Sequence, residues 1–110
     1  MASSTPVVLI TGAAHRLGAH TARHLHQRGW NLVIHYRSRE ADANALRDEL
    51  NSIRQKSAVA IQADLAAPDQ TELLARKAVS TWGRLDGLVN NASVFYANPT
   101  EAATGEDWNT

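Results

Sequence analysis

The sequence predicts an α/β fold: a doubly wound parallel sheet with helices on both faces and strand order 3-2-1-4. Three observations carry that expectation. Strand-like and helix-like patterns alternate four times along 110 residues, and the helical patterns are long enough for crossovers. The first apolar run, Val7-Val8-Leu9-Ile10, leaves no polar face, as a strand covered on both sides requires. That run passes through Gly12 into a helical pattern, a connection suited to holding phosphate. Right-handed crossovers and the usual winding then give the strand order.

Val7–Thr11 is the first expected strand. The helix after it, Arg16–Arg28, carries Leu17, Thr21, Ala22 and Leu25 on one side and Arg23, Gln27 and Arg28 on the other, with Gly29 placed to end it. Asn31–Tyr36 forms the second strand around Leu32-Val33-Ile34. Ser38 then suits an N-cap for a helix over Arg39–Arg54, whose apolar stripe is Ala45, Leu46, Leu50 and Ile53. Ala58–Ala63 is a third short strand. Asp64-Leu65 ends it, and Pro68-Asp69 opens a helix repeating Leu74, Ala75, Ala78, Val79 and Trp82, closed by Gly83. Leu85–Asn90 supplies the fourth strand, Asn91–Asn98 a loop, and the rest the approach to a further helix.

The length bounds the chain to at most one domain. Eleven basic and eleven acidic residues balance, so no cationic field points to nucleic acid and there is no acidic tail. The absence of cysteine excludes disulfides and thiol catalysis. Met1–Pro6 lacks the basic start and long apolar core of a signal peptide, and Val7–Ile10 is too short to span a bilayer. A cytoplasmic protein with no membrane partner is expected. His20 and His24 pair at i, i+4, but two imidazoles without a carboxylate partner fall short of a closed metal site, so no metal is expected.

In such sheets ligands bind outside the carboxyl ends of the strands, and four stretches fall there. In Thr11-Gly12-Ala13-Ala14-His15-Arg16-Leu17-Gly18, Gly12 allows the chain to reverse at positive φ and Gly18 allows the helix to sit close to the sheet. The helix start favours an anion by about 0.3–1 kcal/mol at an exposed site. After strand 2 comes His35-Tyr36-Arg37-Ser38. Tyr36, 24 residues beyond Gly12, stands where an NAD-binding domain usually has an acidic residue on the ribose. With no carboxylate there, Arg37, Ser38 and Arg16 could hold a 2′-phosphate; the plainer alternative for Arg37 is an exposed loop arginine. After strand 3, Asp64 could accept from an adenine amino group beside Leu65, or simply cap the turn before Pro68. After strand 4, Asn90-Asn91-Ala92-Ser93 combines asparagines that can satisfy backbone groups with a small residue that permits close approach of a ligand.

The glycine turn, Asp64-Leu65, Trp82-Gly83-Arg84-Leu85-Asp86 and Leu88-Val89-Asn90-Asn91-Ala92, in this order, resemble the short-chain dehydrogenases/reductases, with Arg16 replacing the middle glycine of their turn. Thr11–Gly18, His35–Ser38 and Asn90–Tyr96 further resemble pteridine reductases. The resemblance implies a Rossmann-type fold, NADPH as cofactor and reduction of a dihydropterin or dihydrofolate. The cofactor residues would be Gly12, His15, Arg16, Leu17, Gly18, His35, Tyr36, Arg37, Ser38, Asp64, Leu65, Asn91, Ala92 and Ser93. Arg16, Ser93 and Phe95 would face the pterin, Phe95 by ring stacking. Phe95 has the alternative of a core aromatic. The resemblance also implies a homotetramer.

The catalytic Tyr-x-x-x-Lys pair of that family is absent. Tyrosine occurs only at positions 36 and 96, neither with lysine four residues on, and the two lysines are Lys56 and Lys77. The resemblance covers only the N-terminal half of the family's domain, and Glu106–Thr110 resembles the start of the helix after strand 4. The expectation is therefore the cofactor-binding half of a reductase whose catalytic pair lies in a C-terminal remainder. Two alternatives stand beside it: a short-chain reductase acting on a carbonyl, and a non-catalytic dinucleotide-binding or interaction module.

Overall fold

The computed structural model describes residues 5–91. Four strands, β1 (Val7–Thr11), β2 (Asn31–Tyr36), β3 (Ala58–Gln62) and β4 (Gly87–Asn90), alternate with three helices, α1 (Arg16–Gln27), α2 (Glu40–Ile53) and α3 (Pro68–Trp82). Every pairing is parallel and the sheet order is β3-β2-β1-β4, as expected for a Rossmann-type α/β fold. The expected loop beyond Asn91 and the helix start at 106–110 lie outside the described residues.

All five residues of β1 are buried, because β2 and β4 flank it and helices cover both faces. Strand alternation sorts the core into two layers. Val8, Ile10, Leu32 and Ile34 pack with Ala22 of α1 and with Ala43, Leu46 and Leu50 of α2. Val7, Leu9 and Val33 pack on the opposite face with Leu74 and Ala78 of α3.

The helices are rotated relative to the stripes read from sequence. On α1 the inward residues are Gly18, Ala22 and His26, while Leu17 is 68% exposed and the Thr21 hydroxyl bonds back to the Leu17 carbonyl. Gly18 sets this rotation: a Cβ there would lie 2.5 Å from the Gly12 carbonyl oxygen, so this position is pressed onto the turn. On α2 the line is Ala43, Leu46 and Leu50, leaving Ala45 and Ile53 exposed. On α3, Leu74 and Ala78 are buried and Trp82 half-buried, with Ala75 and Val79 outward. The N-cap of α2 is Arg39 rather than Ser38, and no side chain caps it. Glu40 and Asp42 in the first turn supply the favourable negative charge instead.

β4 begins at Gly87, two residues later than expected, because the preceding residues form a clamp. The Asp86 carboxylate accepts the Val7 N–H at 2.8 Å and two hydrogen bonds from Arg84, and the Asp86 N–H donates to the Val7 carbonyl at 2.8 Å. Arg84 holds the Asp86 carboxyl below the usual carboxylate range, and the Val7 N–H adds to that. The clamp seats β4 on β1 and brings its far end to the first glycine turn.

A buried polar group lies at the same, amino, end of the sheet beside β3. The Ser57 hydroxyl donates to the Arg54 carbonyl at 2.6 Å and accepts from His26 Nε2 at 2.7 Å. Burial pushes the His26 imidazole below its ordinary value, and the neighbouring Arg54 charge pushes the same way. An unfolded chain binds a proton that this folded site refuses. The His26 contribution is therefore complete above about pH 6.5 and declines as pH falls below it. We expect the urea midpoint to drop between pH 8 and pH 5. His26→Gln, which keeps a donor for Ser57 but cannot titrate, should make that drop smaller; an undiminished drop would remove His26 as a cause.

Candidate functional site

The carboxyl ends of the four parallel strands share one edge of the sheet with the start of α1, which follows the central strand β1. Gly12 turns the chain at φ 65°, a conformation that costs other residues about 1–2 kcal/mol. The Gly12 carbonyl accepts the His15 N–H at 3.1 Å, and the first helical bond runs from the Ala19 N–H to the His15 carbonyl. The N–H groups of Arg16, Leu17 and Gly18 precede that bond and have no carbonyl behind them. His15 stands at the N-cap with no side-chain cap, and the first turn holds no acidic residue. Among the described residues the positive end of α1 therefore opens without a carboxylate in its first turn, with Arg16 and Leu17 exposed beside it.

The turn is fastened to β2 by a single residue. His35 is buried; its Nδ1 accepts the Gly12 N–H at 3.0 Å, and its carbonyl accepts the Ala13 N–H at 3.1 Å. Its Nε2 donates to the Ala63 carbonyl at 2.8 Å, past the end of β3. Burial lowers the His35 imidazole below its ordinary value, and the Ala63 carbonyl offsets part of that. Both ring nitrogens are thus engaged inside the protein, whereas Tyr36 is half-buried and Arg37 and Ser38 are exposed. Gln62 holds the Arg37 carbonyl at 3.0 Å. Among the described residues the guanidinium groups of Arg16 and Arg37 make no ion pair, and the Ser38 hydroxyl makes no hydrogen bond.

After β3, Asp64 and Leu65 are half-buried. Asp64 Oδ1 accepts the Ala66 N–H at 3.0 Å, so this carboxylate shapes the turn that leads into α3. At the end of β4 the Thr11 hydroxyl bonds Asn90 Oδ1 at 2.8 Å and receives the Asn91 N–H at 3.1 Å. This bridge joins the central strand to its neighbour where the winding reverses. Thr11 opens the glycine stretch read from sequence but has no role of its own there; its place opposite Asn90 in the 3-2-1-4 order is the signal that could have found one. Ala92, Ser93 and Phe95 lie outside the described residues. His24 Nε2 accepts from Arg28 Nε at 3.2 Å, and among the described residues no group of three or more His, Asp or Glu converges. No helix of the described residues is long and apolar enough to cross a membrane.

Residues 6–110 match the family model described as short chain dehydrogenase. The chain belongs to the short chain dehydrogenase family. It is 40% identical over 113 residues to pteridine reductase 1 of Leishmania tarentolae, covering 87% of this chain and 39% of that protein. A hydroxynaphthalene reductase-like protein of Metarhizium brunneum is 35% identical, with 93% of this chain and 38% of that protein covered. A 3-oxoacyl-[acyl-carrier-protein] reductase of Staphylococcus aureus is 31% identical, with 94% and 42% covered. The chain thus spans about two fifths of the length of these curated relatives.

Membership of the short chain dehydrogenase family implies a nicotinamide dinucleotide, and the residues present fit one. A helix N-terminus free of side-chain caps and acids suits a pyrophosphate, and the close seat of Gly18 keeps the turn tightly wound against α1.

Proposed function

We propose that this chain is the cofactor-binding half of an NADPH-dependent reductase acting on a dihydropterin or dihydrofolate. The observation that carries the choice of NADPH is the pair of arginines, Arg16 and Arg37, that make no ion pair among the described residues, on a rim where no carboxylate replaces Tyr36. The N–H groups of Arg16, Leu17 and Gly18 hold the pyrophosphate, while Arg37 and the uncommitted Ser38 hydroxyl hold the 2′-phosphate. Asp64 and Leu65 border the adenine, and Asn91, Ala92 and Ser93 border the nicotinamide side. His35 acts on the cofactor only through the turn it fastens. The bound dinucleotide supplies a hydride. Arg16 reaches from the turn toward both ligands, and Ser93 and Phe95 orient the flat substrate ring. The proton donor belongs to a Tyr-x-x-x-Lys pair in a C-terminal remainder, and the reading includes a homotetramer.

The likeness to pteridine reductase 1 supports the pterin, and Arg16 within the turn agrees with it. The likeness to reductases of hydroxynaphthalene-like and 3-oxoacyl type favours a second reading, reduction of a carbonyl. NADPH oxidation by the full-length protein, measured with dihydrobiopterin against a panel of ketones and 3-oxoacyl thioesters, separates them. We expect turnover with dihydrobiopterin that Arg16→Ala lowers. Turnover confined to ketones or thioesters would overturn the pterin reading.

A further inference from the structure

We propose that His35 is a positioning residue for the dinucleotide turn: its neutral imidazole, carrying the proton on Nε2, locks the turn to β2 and β3 and so makes cofactor affinity fall in mildly acid solution. The proposal rests on the reading of the turn as a dinucleotide site.

The geometry defines one tautomer. The Gly12 N–H points at Nδ1 from 3.0 Å, so Nδ1 must present a lone pair. Nε2 lies 2.8 Å from the Ala63 carbonyl oxygen, which can only accept, so Nε2 carries the hydrogen. The same residue's carbonyl fixes the Ala13 N–H, which means that side chain and backbone of His35 together hold the first two amides of the turn. A second proton would sit on Nδ1 and face the Gly12 N–H, two donors without an acceptor in a buried place. The turn could relieve that contact only by moving Gly12 away from β2. Gly12 also anchors the contact with Gly18, so the displacement reaches the start of α1 and its phosphate-facing amides.

The surroundings do not favour the charged form. β1 contributes Thr11 and the turn contributes Gly12 and Ala13, none of them titratable; α3 presents Leu74 and Ala78 to this face of the sheet. The titratable and charged groups on adjoining segments are His15 and Arg16 beyond the turn, Tyr36 and the exposed Arg37 after His35, and Asp64 after Ala63, whose Oδ1 is held by the Ala66 N–H. On α3 they are the exposed Asp69, Glu72, Arg76 and Lys77. Burial keeps the ring below its ordinary value, with the Ala63 carbonyl offsetting part of the effect.

The test uses full-length protein. Two-dimensional ¹⁵N NMR of the imidazoles at pH 8 should show His35 as the Nε2–H form, and the Gly12 amide shift should titrate with that ring. Because the ring is held below its ordinary value, NADPH affinity should fall by a modest factor, up to about fivefold, more between pH 8 and pH 5.5 in the wild type than in His35→Asn. The asparagine keeps an acceptor for Gly12 and cannot titrate, so it also controls for protonation of the cofactor's own phosphate. His35→Gln keeps the donor to Ala63 but offers Gly12 nothing, and should bind weakly at every pH. An Nδ1–H tautomer, or equal pH profiles for wild type and His35→Asn, would overturn the proposal. Absence of NADPH binding at any pH would count against the proposed function instead. The Gly12 amide response would then decide the lock by itself: a Gly12 shift that does not follow His35 sinks it.

Discussion

Gly18→Ala is expected to destabilise the fold by about 1–2 kcal/mol and to cut NADPH affinity at least tenfold, although alanine is the better helix former. Replacing glycine by alanine inside a helix ordinarily gains about 0.8–1 kcal/mol. Here the new methyl would lie 2.5 Å from the Gly12 carbonyl oxygen and 2.8 Å from Ala13 Cα. Both are backbone atoms, so no side-chain rotation gives relief and α1 must move off the turn. Overpacking of this kind costs about 1–3 kcal/mol, occasionally more, and here exceeds the propensity gain. The displacement also pulls the amides of Arg16 and Leu17 out of line with a phosphate. Urea denaturation and NADPH fluorescence titration measure the two effects. A variant as stable as wild type with undiminished affinity would show that the turn tolerates displacement.

Arg37→Ala should lower NADPH affinity by about 1.5–3 kcal/mol, the scale of a charge-assisted hydrogen bond, and leave NADH affinity nearly unchanged. That is roughly a ten- to hundredfold loss. Arg37 is exposed and unpaired among the described residues, so its removal breaks no internal contact, and stability should stay within about 0.5 kcal/mol of wild type. The loss should shrink as salt is raised, because an exposed guanidinium–phosphate contact is screened. Equal losses for both cofactors would exclude a 2′-phosphate role for this residue.

The architecture could be read from the chain because strands covered on two sides must be apolar at every position. Val7–Ile10 and Leu32–Ile34 announce themselves that way, and α1 and α3 carry their own punctuation in Gly29, Pro68 and Gly83. Helix rotation could not be read as well. Leu17 and Ile53 look inward by periodicity, but the rotation of α1 is decided by one close contact between Gly18 and a turn distant in neither sequence nor space. At the site, the cationic and carboxylate-free character of the β2 end follows from residue types alone. The function of His35 does not, because a histidine ending an apolar strand can point to either face, and only the fold brings Gly12 and Ala63 to its two nitrogens. Asp64 shows the same limit: both of its readings use the same carboxylate, and the structure commits one oxygen to the Ala66 N–H.

The bridge between Thr11 and Asn90 also bears on how the molecule assembles. β1 finds β2 only 24 residues away, whereas Thr11 and Asn90 are 79 apart. Closing the longer loop costs about 1 kcal/mol more in chain entropy. On a growing chain, β1, β2 and β3 have their partners well before β4 has been synthesised. β4 therefore docks after β1, β2 and β3, guided by Asp86 onto the Val7 amide. The crevice acquires its second wall at that step, so mutations in the Asp86 clamp should slow the docking of β4 more than the early collapse.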